Sequence, residues 1–308
     1  MTDLISIIVS TKNNQATLRY TLSSTLKLAD LFDVELVIVD GKSTDCTPEI
    51  TRKFIDKYGS YYLKFKVLQD PGTSLSFARS LGYKHSEGSI IVFLDGDTPL
   101  TNSFALHLRK ELEDYDLISP LFEVIPLDNV TKYFSKFMTV VSYLQVANKM
   151  ISKPSILPPA RIFKRQVLEK MHGYPLFSRF FGEDRMATAL AVKLGFHYKF
   201  STKLKLLKIE EPRYFSCLRK HFRYGIGINR DITSLGKRLL RDYIIMRRLN
   251  HLNVLIPIVS LIYASRYYGM TREIKMSIYV ALIKYFIDLA ILSGDVVSLR
   301  KKGNNYEK

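Results

Sequence analysis

Four short apolar runs recur through the first hundred residues: ISIIVS (5–10), ELVIVD (35–40), KFKVLQ (64–69) and IIVFLD (90–95). Runs this continuous suit strands covered on both faces, whereas a strand with one wet face alternates apolar and polar residues. Between them lie ATLRYTLSSTLKLADLF (16–32), CTPEITRKFIDKY (46–58) and SFARSLGYKHS (76–86), whose apolar residues recur at helical spacing. Strand–helix repetition of this kind predicts an α/β domain with a mostly parallel central sheet flanked by helices. Ligands of such sheets gather beyond the C-terminal strand ends. The polar clusters TKNN (11–14), DGKSTD (40–45) and DGD (95–97) fall at those ends and are expected to share one crevice.

Beyond Pro99 the pattern loosens. FALHLRKELEDYDLISPLF reads as a helix and a short strand, and KPSILPPARIFKRQVLEKMHGY as a loop, a strand and a helix stopping at Gly173. GEDRMATALAVKLGF (182–196) reads as a helix with Glu183 and Asp184 at its positive end. The tail holds two apolar stretches, LNVLIPIVSLIYAS (252–265) and MSIYVALIKYFIDLAILS (276–293), the first interrupted by Pro257 and the second by Lys284 and Asp288. Neither has the length and purity of a spanning helix. A membrane hairpin, helices lying in the interface and an oligomer contact all remain open for them.

Charge points the same way. The chain carries 46 Lys+Arg against 29 Asp+Glu. Between Lys199 and Arg248 the ratio is 14 to four, directly ahead of the apolar tail. That placement favours a membrane surface as partner over nucleic acid. The division expected is a catalytic domain over 1–215 and a basic, helical, membrane-associating region over 216–308. Cys46 and Cys217 fit no metal-ligand spacing, and MTDLISIIVS lacks the basic start of a signal peptide, so a reducing setting is expected.

The chemistry centres on Asp95-Gly96-Asp97. Two carboxylates at a strand end suit a Mg²⁺ or Mn²⁺ ion held against a diphosphate. FLDGDT also fits the D-x-D-x-T motif of haloacid dehalogenase phosphatases, with Asp95 as nucleophile. Placement opposes that reading, because three strand–helix units precede the motif. A non-enzymatic basic membrane-docking module is the third alternative.

Five segments in order, SIIVSTKNN, ELVIVDGKSTDCT, FARSLGYKHSEGSIIVFLDGD, RIFKRQVLEKMHGY and FGEDRMATALAVKLGFHY, resemble family 2 glycosyltransferases of the GT-A fold over about residues 4 to 200. The resemblance implies an inverting transfer from a nucleotide-diphosphate sugar to a glycan hydroxyl or lipid-linked phosphate acceptor, at the cytoplasmic face of the cell membrane, with no nucleic acid involved. It implies that Thr11, Asn13, Asp40, Ser43 and Arg79 bind the nucleotide sugar, although Asn13-Asn14 stands where the family often has an N-E pair. It further implies that Asp95 and Asp97 hold the Mn²⁺ or Mg²⁺ and the diphosphate, that Asp184 is the general base, and that Gly173-Tyr174 forms a structural turn beneath the acceptor site. Thr47 is expected to cap the second helix. In LRKHFRYGIGINR, His221 is a further candidate metal ligand.

Overall fold

The structure, a computed structural model, describes residues 4–72, 74–126, 157–176, 183–210 and 274–303, with isolated helical positions between 219 and 269. The chain divides into two compact units, the first made of Met1–Glu123, Leu157–Ser178 and Glu183–Ile209. Its elements in order are β1 (Ile5–Thr11), α1 (Leu18–Ala29), β2 (Val34–Asp40), α2 (Thr47–Tyr58), β3 (Lys64–Gln69), α3 (Leu75–Lys84), β4 (Ile90–Asp95), α4 (Asn102–Asp114), β5 (Leu117–Pro126), β6 (Ile162–Lys164), α5 (Arg165–Lys170), α6 (Glu183–Lys193) and β7 (Tyr198–Glu210). The seven strands form one sheet in the order β3-β2-β1-β4-β6-β5-β7. The first four run parallel, and β6 pairs antiparallel with both β4 and β5, so the sheet is mixed.

Successive side chains of a strand point to opposite faces, and the apolar runs therefore fill two cores. Ile7, Val9, Leu36, Ile38, Val92 and Leu94 pack with Leu18, Leu22, Phe104 and Leu108 from α1 and α4. Ile8, Val37, Val39, Ile91 and Phe93 pack on the other face with Val167 and Ala187 from α5 and α6. Helix α3 lies close against that face. A Cβ on Gly82 would come within 2.4 Å of Ile8 Cγ2. The register pairs Thr11 with Asp40 and Ser10 with Asp95, which sets the three strand ends side by side.

Two expectations need correction. β3 is not covered on both faces: as the outermost strand it leaves Phe65 and Val67 about half exposed. And β7, thirteen residues long, had no counterpart in the sequence reading. Its second half runs beside the chain that follows the D-G-D turn, where Ile209 N donates to Asp97 O at 2.9 Å and Leu207 N to Pro99 O at 2.9 Å.

In the second unit the longest described element is α7 (Ile274–Gly303). Among the described residues no helix is long and apolar enough to cross a membrane. Most of 252–265 and most of 216–230 lie outside the described residues.

Candidate functional site

The first two strand-end loops are latched together by hydrogen bonds. Asn13 N donates to Ser43 Oγ (2.8 Å), Asn14 N to Thr47 Oγ1 (2.8 Å) and Gln15 N to Asp45 Oδ2 (3.1 Å), while Thr44 N donates back to Asn13 Oδ1 (2.8 Å). Asn13 takes φ 53°, a left-handed geometry that asparagine tolerates. Asp40, at the end of β2, accepts from Ser43 N (3.0 Å) and Ser43 Oγ (2.5 Å). A cavity of about 420 Å³ opens beside it, lined by Thr51, Arg52, Ile55, Val67 and Leu68 among others. Thr47 does not cap α2. Its hydroxyl is turned to Asn14, and Asp45 Oδ1 accepts from Thr47 N instead (3.0 Å). A carboxylate two residues back reaches that amide, and its anionic form suits the positive end of the helix.

The third loop joins the first through Gly96. Its N–H donates to Ser10 O (2.9 Å) and its carbonyl accepts from Thr17 Oγ1 (3.0 Å). A Cβ at this position would sit 2.7 Å from both Thr11 Oγ1 and Asn14 Oδ1. Glycine is required here for close approach, because the loops touch where a side chain would begin.

Asp95 ends β4 inside a cage of cations. Arg79 Nη2 donates to Oδ1 at 2.8 Å, and the Arg161 fork reaches Oδ1 and Oδ2 at 3.4 Å each. Burial works against its ionisation, but Arg161 and Arg79 outweigh that and hold its carboxyl far below the usual carboxylate range. Arg79 is 1% exposed and also donates to Glu183 Oε1 (2.9 Å) and Tyr174 Oη (3.1 Å). It is thus turned inward, beneath the strand ends. Arg161 Nη2 contacts Asp184 Oδ2 at 3.4 Å, so a single nitrogen touches both Asp95 and Asp184. Ala160 N donates to Thr188 Oγ1 (2.8 Å), tying the Arg161 segment to α6. Burial and the neighbouring Asp184 charge push the Glu183 carboxyl up, against the pull of Arg79. The Nε atoms of Arg79 and Arg161 are buried with no hydrogen-bond partner among the described residues, a rare and costly state for a buried donor.

Asp97 stands apart from the cage. Its side chain is 25% exposed and pairs with Lys208 from β7. Among the described residues no group of three His, Cys, Asp or Glu is arranged to hold a metal ion, and His221 lies outside them. A hard divalent cation needs only one or two carboxylates when phosphate oxygens and waters complete its shell. Asp97 fits that role as one such ligand. Asp95 Oδ1 accepts from both guanidiniums, whereas Oδ2 has one long contact, to Arg161, and keeps a lone pair for a cation.

An α/β sheet whose strand ends bring together D-G-D, a latched pair of polar loops and an acidic helix start was compared with known proteins. The glycosyl transferase family 2 model matches residues 6–171, more than half of the chain. The chain belongs to glycosyl transferase family 2. Among relatives of this family 2 chain, the uncharacterized glycosyltransferase EpsJ of Bacillus subtilis (strain 168) is 27% identical over 156 residues, covering 51% of this chain and 42% of the relative. The probable glycosyltransferase YdaM of the same organism is 22% identical over 206 residues, 64% of this chain and 48% of the relative. The chain therefore spans under half the length of either. In fold, the chain is similar to the mannosyltransferase PcManGT from Pyrobaculum calidifontis, solved in complex with GDP-Man and Mn²⁺. The TM-score is 0.65 at 14% identity, over 98% of this chain and 88% of that one. It is also similar to Staphylococcus aureus TarS 1-349 in complex with UDP-GlcNAc, with a TM-score of 0.53 at 15% identity, over 97% and 92%.

Within this family 2 domain the structure brings Thr11, Asn13, Asp40, Ser43, Arg79, Asp95, Asp97 and Asp184 to the same end of the sheet. Tyr174 is structural as expected: it is buried, packs its ring 4.8 Å from that of Phe93 and accepts from Arg79. Two site residues escaped the sequence reading. Arg161 sits in RIFKR with no local pattern to mark it. Lys208 lies on the unrecognised β7, whose alternating KLKLLKI is the signal that would have found it. The larger cavity, about 950 Å³, lies at the opposite end of the strands, by Ile5 and Ile90, away from these residues.

Proposed function

We propose that this family 2 domain moves a sugar, with inversion, from a nucleotide-diphosphate donor to a hydroxyl or a lipid-linked phosphate acceptor. One observation carries the reading: a single Arg161 nitrogen bridges Asp95, at the donor strand end, and Asp184, at the start of α6. That bridge puts a carboxylate next to the place where a diphosphate would be held. Asp184, 20% exposed on its side chain, takes the acceptor proton as the hydroxyl attacks opposite the leaving group. Glu183 supports inversion by its position. It is turned inward onto Arg79, away from the role of a second carboxylate that a double displacement would need.

On the donor side, Asp40 and Ser43 border the base or ribose, and Thr11 and Asn13 hold the loop that faces it. Asp95, fixed by Arg79 and Arg161, sets the direction of the D-G-D turn. Asp97 is the carboxylate offered to Mn²⁺ or Mg²⁺, which when bound supplies Lewis-acid stabilisation of the departing diphosphate. Lys208 pairs with Asp97, and once a cation took that carboxylate the lysine ammonium would be free to meet the phosphate charge that builds up. The phosphatase alternative suits the site poorly, since two guanidiniums beside Asp95 stabilise its charge and lower its power as a nucleophile.

The test is a thermal-shift screen with Mn²⁺ across nucleotide sugars, followed by measurement of nucleoside diphosphate release. GDP- and UDP-sugars come first, because PcManGT and TarS were solved with GDP-Man and UDP-GlcNAc. A bound donor raises apparent stability by about 2.7 kcal/mol at a hundredfold excess over Kd. The expected result is a shift with one nucleotide class that needs Mn²⁺ and is reduced in Asp97→Asn. No shift with any nucleotide sugar would refute the donor assignment.

A further inference from the structure

Helix α7 has its polarity reversed for an element that meets water. Its described positions split into two stripes. Ser277, Ile283, Lys284, Ile287 and Asp288 are buried, and Lys284 Nζ is paired with Asp288 Oδ2 at 2.5 Å. Ile274, Ile278, Leu282, Phe286 and Leu289 recur every three or four residues, the spacing of one helix face, and all are exposed, Ile274 to 65% and Ile278 to 57%. A surface helix of a water-soluble fold shows the opposite order, with charges outward and apolar residues inward. An ion pair turned in and an aliphatic stripe turned out is what an apolar surrounding selects. A continuous exposed apolar stripe of this kind marks an interaction surface.

Charge identifies the occupant. The chain is formally +17, and the helix itself ends in the sequence RKKG. That excess complements anionic headgroups. Tyr279 is exposed beside the stripe, the residue type favoured at the headgroup level. Length fixes the pose. Among the described residues the stripe runs from Ile274 to Leu289, about 23 Å at 1.5 Å per residue. That is short of the roughly 30 Å hydrocarbon core of a bilayer, and Arg272-Glu273 and Asp295 bound the stripe in the sequence. We propose that α7 lies along an anionic lipid surface, with Ile274, Ile278, Leu282, Phe286 and Leu289 sunk into the boundary between headgroups and acyl chains.

The chain contains no tryptophan, so one introduced residue reports alone. The full chain carrying Phe286→Trp is titrated with vesicles of phosphatidylcholine containing about one-third phosphatidylglycerol. The expected result is a blue-shifted emission, quenched more by lipids brominated near the headgroup than by lipids brominated near the chain ends. Adding Ile278→Ser and Leu282→Ser should weaken vesicle binding about tenfold or more and leave the circular-dichroism melt unchanged, since both side chains are exposed. Leu106→Trp, on the exposed face of α4, should show no shift. Emission from Phe286→Trp that ignores vesicles would overturn the proposal. So would a blue shift that grows with protein concentration without lipid, which would assign the stripe to a second copy of the chain. Equal binding to pure phosphatidylcholine would remove the anionic component, and strongest quenching from the chain ends would remove the in-plane pose.

Discussion

Replacing Asp184 with asparagine removes one negative charge and keeps the shape of the side chain. The cluster around it sets two guanidiniums, Arg79 and Arg161, against three carboxylates, Asp95, Glu183 and Asp184. The attraction lost is that to Arg161 at 3.4 Å, about 5 kcal/mol at an effective dielectric near 20. Repulsions vanish with it. Asp95 and Asp184 share one Arg161 nitrogen, which puts them within about 7 Å of each other and makes their repulsion about 2.4 kcal/mol. Glu183, next in the chain, adds a term of roughly the same size. Gain and loss nearly cancel, to less than about 1 kcal/mol, so Asp184→Asn should melt within roughly 2–4 °C of the parent chain. Transfer should fall about 10²- to 10⁴-fold, the usual contribution of a positioned base. Melting by circular dichroism and nucleoside diphosphate release, measured on one preparation, separate the two effects. Turnover within tenfold of the parent would refute the base assignment. Activity lost together with more than about 3 kcal/mol of stability would show that Asp184 is held for structure, as expected when one partner of a buried ion cluster is stripped away.

Arg79→Met should cost about 3–5 kcal/mol in urea unfolding, because it leaves Asp95 and Glu183 buried without their shared cation, and Arg79→Lys should recover only part of that. Gly96→Ala forces a Cβ against Thr11 and Asn14 and should lose about 1–3 kcal/mol, with weaker donor binding as the turn moves. Stability against pH carries two opposite signatures. The Asp95 carboxyl is held low by Arg161 and Arg79 over the cost of burial, so its contribution is present above its unfolded value of about 3.9 and is lost only as pH falls through the folded one. The Glu183 carboxyl is pushed up, so the folded state binds the extra proton and loses stability as pH rises past about 4.3. Glu183→Gln should therefore gain on the parent chain as pH rises above about 4.3, read from urea midpoints, and a difference that does not change with pH would refute this assignment.

The strands were legible because a parallel strand covered on both faces leaves an unbroken apolar run, and ISIIVS, ELVIVD and IIVFLD are such runs. KFKVLQ is broken by Lys64 and Lys66, an alternation that fits its place at the sheet edge, but that Phe65 and Val67 are the exposed pair is a fact of neighbours. The acids of the site were legible for a related reason: Asp40, Asp95 and Asp97 sit where strands end, and Asp184 where a helix begins. What holds them was not. Arg161 and Lys208 meet Asp95 and Asp97 across the sheet, 66 and 111 residues away in the chain, and their roles come from strand order. Thr47 was the cap expected from the sequence, yet Asp45 is the side chain that holds the Thr47 amide. The amide of Asn14, 33 residues away in the chain, takes the Thr47 hydroxyl.

Arg79 joins Asp95, sixteen residues on, to Glu183, 104 residues on. A ribosome reaches the first partner early and the second only after most of the α/β unit has been made. Until then the guanidinium has one carboxylate where the finished site gives it two, and the neighbouring Asp184 is not yet in place. Contacts of such long sequence separation form late, after the closure entropy of the intervening chain has been overcome. A nascent or truncated chain ending before residue 183 would thus assemble the donor loops without Asp184, the base proposed above. Sugar nucleotide binding should appear in such fragments before any capacity to transfer, and the order of synthesis itself keeps an unfinished enzyme from acting.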